Sequence, residues 1–376
     1  MKLLRYLFLL LAGLFSIGQI SHGQDIIFNH ITDKDGLQYN WIWSIFKDSQ
    51  DYMWFSSPEG AFRYDGSEFK NYSFPTSNGY SDVKIFCVYE DSYSNIWFGT
   101  NEGLIQYDRH ENKYKRIQLD SIGNEYSNLI NTIIEDENHV IWIGTGYGLF
   151  SYDQSNEKIR FYHNSESVNS LQTYTVNELL IDSKNNLWIG GNNGALYQYI
   201  PHNDYFLEYK FSENVGDVGI STLYEDHQGY LWVGYNGFGA SKFNAWSKEY
   251  VRHYEKKEGS EGLVSNIVRG IVENNDHTIW FGTEKGLSIL SQEKDEFRTV
   301  TSSFENISGL NDNAIYSMFK EENGDIWIGT FFGGVNVFFN RPRFLQTFVP
   351  DGSEENISGK AIDTIIKDTN SLGIGT

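Results

Sequence analysis

The chain of 376 residues has one cysteine, Cys87, and five prolines. A single thiol closes no internal disulfide, so even in an oxidising compartment the fold must be held by burial. Basic residues are scarce, 29 Lys and Arg against 50 Asp and Glu, giving a formal net charge of −21. A surface that acidic repels phosphate backbones and anionic head groups, which argues against nucleic acid as a partner. After residue 23 no apolar run approaches the roughly 20 residues of a membrane span, so no membrane contact is expected of this segment. The nine His are scattered without a pair at metal-binding or zinc-protease spacing, and there is no Gly-x-Ser-x-Gly elbow. No catalytic residue, metal or cofactor is therefore assigned. Abundant carboxylates leave a glycosidase or lyase acting on polysaccharide open as an alternative, because such a site has no linear motif.

Residues 1–23 read as a cleavable secretory signal. Lys2 and Arg5 supply positive charge, an apolar run extends from Leu3 to Ile17, and Ser21-His22-Gly23 places small residues where signal peptidase reads. The run is short for a membrane anchor, so export to the periplasm with cleavage after Gly23 is expected.

The abundant residues are aromatic, with 25 Tyr, 26 Phe and 10 Trp, alongside 36 Gly, a composition suited to many short strands joined by tight turns. They fall into repeats. Trp54, Trp97, Trp142, Trp188, Trp232, Trp280 and Trp327 recur at intervals of 43 to 48 residues, each flanked by apolar residues and all but the first followed two residues on by Gly. An eighth copy, Leu372-Gly373-Ile374-Gly375-Thr376, has Gly where Trp should be. Six residues before each Trp stands Asp48, Asp91, Asp136, Asp182, Asp226, Asn274 or Glu321, opening a polar turn. Six or seven residues after it comes a Gly that begins another strand. Four strands in about 45 residues mark a β-propeller blade. The expected fold is all-β, a seven-bladed propeller over residues 24–343, followed at 344–376 by the truncated start of a second propeller. The Trp residues are expected to pack between blades, and the repeated Asp to form turns, since no unit shows calcium-loop spacing.

The pattern Asp-x4-hydrophobic-Trp-Ile-Gly-Thr-x2-Gly-Leu resembles the two-component regulator propeller repeat. Phe28-Asn29-His30-Ile31 through Phe62-Arg63-Tyr64-Asp65-Gly66 is similar to that family's first unit, and Gly329 to Asn336 to its seventh. The resemblance implies the exported sensor half of a hybrid two-component system of glycan-degrading bacteria. It implies as partners an oligosaccharide, a second propeller and downstream sensor domains, with a homodimer as one arrangement. Relatives continue into a transmembrane helix and a histidine kinase, and this chain reads as a sensor fragment without them.

If strand A of each unit runs down to the Asp turn, strand B returns upward, so the B–C and D–A loops share an upper face where a ligand would bind. Its B–C loops include Tyr147, Asn193, Tyr235, Asn236, Phe238, Phe331 and Phe332, and aromatic rings beside Asn suit the two sides of a pyranose. For Phe331 and Phe332, packing against a second propeller is an equal alternative. A second ring lies 11 residues before each Trp: Trp43, Phe86, Asn131, Asn177, Ser221, Arg269 and Tyr316. Its variability at the upper end of strand A marks a channel-lining position. Arg269 could select an anionic sugar, or simply pair with a nearby carboxylate. A scaffold without a small ligand also stays open. Closure of the ring is expected from Phe28 to Ile31, serving as the fourth strand of blade seven, with Phe344 to Phe348 as the competing segment.

Overall fold

The computed structural model describes residues 26–340, apart from 80–81, 120–123, 164–169, 212–217, 304–305 and 307, together with residues 364–367 and 372–375. The signal-peptide assignment at 1–23 and the segment 344–348 lie outside them. Among the described residues no helix is long and apolar enough to cross a membrane.

Seven four-stranded antiparallel sheets form the ring of a seven-bladed β-propeller. Blade 3 shows the pattern. Strand A is Ile130–Glu135, B is Val140–Thr145, C is Gly148–Asp153 and D is Lys158–Tyr162, paired in that order. The strands of blades 1 to 6 span residues 44–72, 85–117, 130–162, 176–209, 220–254 and 268–300. Blade 7 takes Ile315–Lys320, Ile326–Thr330 and Val335–Phe338 from one end of the chain and Asn29–Ile31 from the other. Asn29 pairs with Val337, His30 with Asn336 and Ile31 with Val335, so the N-terminal strand closes the ring as the sequence led us to expect.

Each repeated residue has a physical task. The Asp at the A–B turn accepts from two backbone N–H groups through Oδ1 and from the blade's own Trp through Oδ2. In blade 1, Gln50 N and Tyr52 N each lie 2.9 Å from Asp48 Oδ1, and Trp54 Nε1 lies 2.7 Å from Oδ2. The indole then enters the next blade: Trp54 packs with Ile96, Phe98 and Ile105 of blade 2, and Trp142 with Leu179, Ile189 and Tyr197 of blade 4. Around the ring Trp327 returns to Ile45, Phe55 and Phe62 of blade 1. The Gly two residues after Trp is there for close approach. A Cβ at Gly190 would stand 2.7 Å from Ile220 Cγ2 of the following blade, and one at Gly282 would stand 2.5 Å from Ile315 Cγ2. Thr of the Gly-Thr pair caps the B–C turn, as where Thr100 Oγ1 donates to Gly103 O at 2.7 Å.

Residues 340–376 form a separate unit. Within it Thr364–Lys367 pairs antiparallel with Leu372–Gly375, the eighth copy of the motif.

Candidate functional site

Strand A is the innermost strand, in contact with its counterparts in the neighbouring blades. Its upper end carries a β-bulge in blades 2 to 7. The register shifts across Phe86, Asn131, Asn177, Ser221, Arg269 and Tyr316, the same ring of variable positions that the sequence singles out. A bulged residue leaves the pleat and its side chain is re-aimed. Here that yields two different results on the two sides of the ring.

On the polar side the side chains are latches. Asn131 Nδ2 donates to Val176 O of the next blade at 2.9 Å, Asn177 Nδ2 to Ile220 O at 3.0 Å, and Ser221 Oγ to Val268 O. These positions hold blade to blade.

On the other side the ring is aromatic and continuous across blades 7, 1 and 2. Trp43 stacks on Phe86 with centroids 4.9 Å apart, and Trp41 meets Trp43 at 5.2 Å, Tyr316 at 5.9 Å and Phe331 at 4.3 Å. Tyr316 stacks on Phe331 at 5.5 Å, and Phe331 touches Phe332, which is 75% exposed. Arg269 lies over the Tyr316 ring, with its guanidinium carbon 4.4 Å from the centroid. Among the described residues it makes no ion pair, and its buried Nη1 and the buried Nε1 of Trp41 have no hydrogen-bond partner. The structure thus brings together Trp43, Tyr316, Phe331, Phe332 and Arg269, drawn from two separately derived sets. The residue that joins them, Trp41, was not singled out, although it stands two positions before Trp43 in Asn40-Trp41-Ile42-Trp43.

Other candidates fall elsewhere. Tyr235 is a correction: it ends strand B of blade 5, is fully buried, and packs with Leu196, Ile220 and Phe243. It occupies the Thr position of the Gly-Thr pair and turns its ring inward, and burial pushes its phenol pKa up. Phe238 is half-buried against Tyr235, Phe211 and His253, while the neighbouring Asn236 is exposed. Asn193 spends its amide within blade 4 and the segment leading into it, donating to Gln172 O at 2.9 Å and to the Tyr197 hydroxyl at 2.7 Å. Tyr147 stacks with Phe161 and Tyr174 on blade 3, among residues outside the aromatic arc.

Lower in strand A, Glu178 follows the Asn177 latch and stands opposite Gly190. Burial pushes its carboxyl up to about 8. Cys87 occupies the corresponding position in blade 2, opposite Gly99. Its thiol is pushed up first by burial and then by the charge of Glu178, which disfavours the thiolate.

A ring of four-stranded blades with an aromatic arc at its upper mouth defines a β-propeller, and the comparisons with known proteins narrow the class. Residues 36–59, 79–102, 214–237 and 309–332 match the two component regulator propeller family. Those four segments make the chain similar to two-component regulator propellers. Histidine kinase P4 of Formosa agariphila is 26% identical over 142 residues, which is 36% of this chain and 10% of that protein. Among solved structures, the extracellular domain of a hybrid two component system from B. thetaiotaomicron superposes with a TM-score of 0.68 at 22% identity, over 93% of this chain and 47% of that one. A second such extracellular domain from the same organism gives a TM-score of 0.70 at 19% identity, over 93% and 44%. The chain therefore spans less than half the length of the solved relatives and about a tenth of the curated one.

Proposed function

We propose that this chain is the extracytoplasmic, ligand-sensing propeller of a two-component regulator, and that its ligand is an oligosaccharide held at the aromatic arc. The observation that carries the reading is the arc itself: Trp41, Trp43, Phe86, Tyr316 and Phe331 in a chain of ring contacts across blades 7, 1 and 2, beside Arg269 of blade 6, whose Nη1, like the Trp41 indole N–H, has no hydrogen-bond partner. Ring faces suit the apolar face of a pyranose, and an unpaired donor suits its hydroxyls or a carboxylate. Arg269, held on Tyr316 and not by an acid, favours a sugar bearing a carboxylate. The histidine kinase relative and the extracellular domains support the sensor role. By resemblance its partners are the further domains of a longer sensor.

The test is calorimetric titration of the chain against a panel of neutral and uronic-acid oligosaccharides, with each mixture assayed for new reducing ends. Saturable binding without product, lost in Trp43→Ala and Phe331→Ala, is expected. In Arg269→Gln the preference for acidic sugars should disappear while neutral sugars bind as before. Turnover would move the reading to a propeller enzyme. Absence of binding across the panel, or binding indifferent to both aromatic substitutions, would remove the arc as the site.

A further inference from the structure

The lower face repeats a latch between blades. The last residue of strand A in blades 2, 3, 5 and 6 is a Glu, and it receives the turn of the blade before. Glu90 accepts from Ser49 N and Oγ, Glu135 from Ser92 N and Oγ, and Glu225 from Ser183 N and Oγ, at 2.5 to 2.8 Å. At the boundary of blades 5 and 6 the Ser is replaced by His227, whose backbone N lies 2.8 Å from Glu273 Oε2 and whose Nδ1 contacts Oε1. Four residues beyond Glu273, in the same turn, His277 brings its Nδ1 to 3.2 Å from that same oxygen. The two imidazoles lie 3.9 Å apart between centroids, with planes 31° apart.

We propose that His227, Glu273 and His277 form a binding site for a divalent transition metal ion of the Zn2+ class. The three donor atoms lie within 4.8 Å of one another. Three ligands on a tetrahedral Zn2+ at about 2.0–2.2 Å stand roughly 3.3–3.6 Å apart, so modest rotation of the two exposed imidazoles completes the set. Two nitrogens and one carboxylate oxygen select Zn2+, Cu2+ or Ni2+ over the hard cations Ca2+ and Mg2+, which take oxygen ligands. The Glu273 side chain is 5% exposed and fixed by the latch, whereas those of His227 and His277 are 41% and 61% exposed. The anionic ligand is thus held in place and the face towards solvent keeps a fourth position open. Lys242, the cation on this side of blade 5, is engaged by Gln292 at 2.7 Å and Asp226 at 3.5 Å. The ring supplies its own control. At the boundary of blades 2 and 3, Glu135 and His139 repeat half of the arrangement, but the partner is Ser92, whose hydroxyl lies 2.8 Å from His139 Nδ1. The sequence hides the site because the two His are 50 residues apart and meet only across a blade boundary.

Titration of the chain with Co2+, followed by visible absorption and by competition with Zn2+, tests the site. One saturating equivalent with d–d bands and displacement by Zn2+ is expected, with a rise in melting temperature. His227→Ser, which restores the residue found at three other boundaries, and His277→Asn should each weaken binding by at least the roughly tenfold that loss of a supporting partner costs at metal sites. His139→Asn should leave it unchanged. No saturable binding, or binding that survives the double substitution of His227 and His277, would overturn the proposal.

Discussion

Trp188 and Asp182 close the A–B hairpin of blade 4 on each other, the indole Nε1 donating to Oδ2 at 2.8 Å. The same carboxylate accepts from the backbone N of Lys184 and of Asn186, both at 2.9 Å, and from Asn186 Nδ2. A turn, a hairpin and an inter-blade contact therefore depend on one side chain. Asp182→Ala would leave the buried Trp188 N–H unpaired and should cost about 2–3 kcal/mol in urea unfolding. In blade 6, Trp280 donates instead to Thr278 Oγ1 at 3.0 Å, so Asn274→Ala should cost clearly less. Equal losses at the two sites would show that the Trp–Asp bond contributes nothing beyond the turn.

The Asp182 linkage also has a pH signature. Burial works to raise its pKa, but the hydrogen bonds from Trp188, Asn186 and Lys184 outweigh it and hold the group below its usual 3.8. With the folded pKa lower than the unfolded one, the stabilisation is present above pH 3.8 and is lost as pH falls through the folded value. Asp182→Asn should flatten that acid limb of a stability profile. A variant profile parallel to that of the wild type would contradict it.

Glu178 has the opposite sign. Its folded pKa of about 8 lies above the usual 4.5, so its favourable contribution is complete below pH 4.5 and is lost as pH rises through about 8. Glu178→Gln cannot ionise. Measured by urea unfolding, the variant should gain on the wild type between pH 5 and pH 8.5, and a constant difference across that range would mean that the carboxyl is solvated.

Core truncation separates two residues that the sequence placed in different roles. Trp142 packs into blade 4, and Trp142→Ala should cost roughly 3–5 kcal/mol. Tyr235, expected on an open loop, is buried in the interface of blades 4 and 5, so Tyr235→Ala should fall in the same class. A melting temperature for Tyr235→Ala close to the wild type would restore the loop reading.

The fold was legible because each blade repeats one solution to one packing problem: Asp fixes a turn, Trp fills the next interface, Gly lets the neighbouring strand approach. What was not legible is what happens between blades. Asn131 and Trp43 occupy equivalent positions, yet one latches to Val176 O and the other stacks on Phe86. Spacing along the chain cannot tell a short amide that reaches a carbonyl from a ring that meets a ring. Trp41 escaped notice because it lies outside the aligned unit, and Tyr235 because the other units carry a small residue there. His227 and His277 escaped because ligand spacing was sought along the sequence, whereas the ring brings them together from the side.

Closure of the ring gives the last prediction. Val335, Asn336 and Val337 pair with Ile31, His30 and Asn29, and Phe28 adds a buried ring against Phe338, 6.5 Å away. Removing residues 24–31 would expose the edge of Val335–Phe338 and leave part of the interface around Trp280 unfilled, since Phe28 belongs to that cluster. An unpaired strand edge is a template for other chains. The truncated protein should therefore melt lower and self-associate in sedimentation velocity. A chain ending at Arg343, by contrast, keeps every pairing of blades 1 to 7 and should melt as the full chain does. Limited proteolysis should reach the same product, with cleavage after the seventh blade. If deletion of 24–31 left both melting temperature and sedimentation unchanged, the N-terminal strand would not be what closes the propeller.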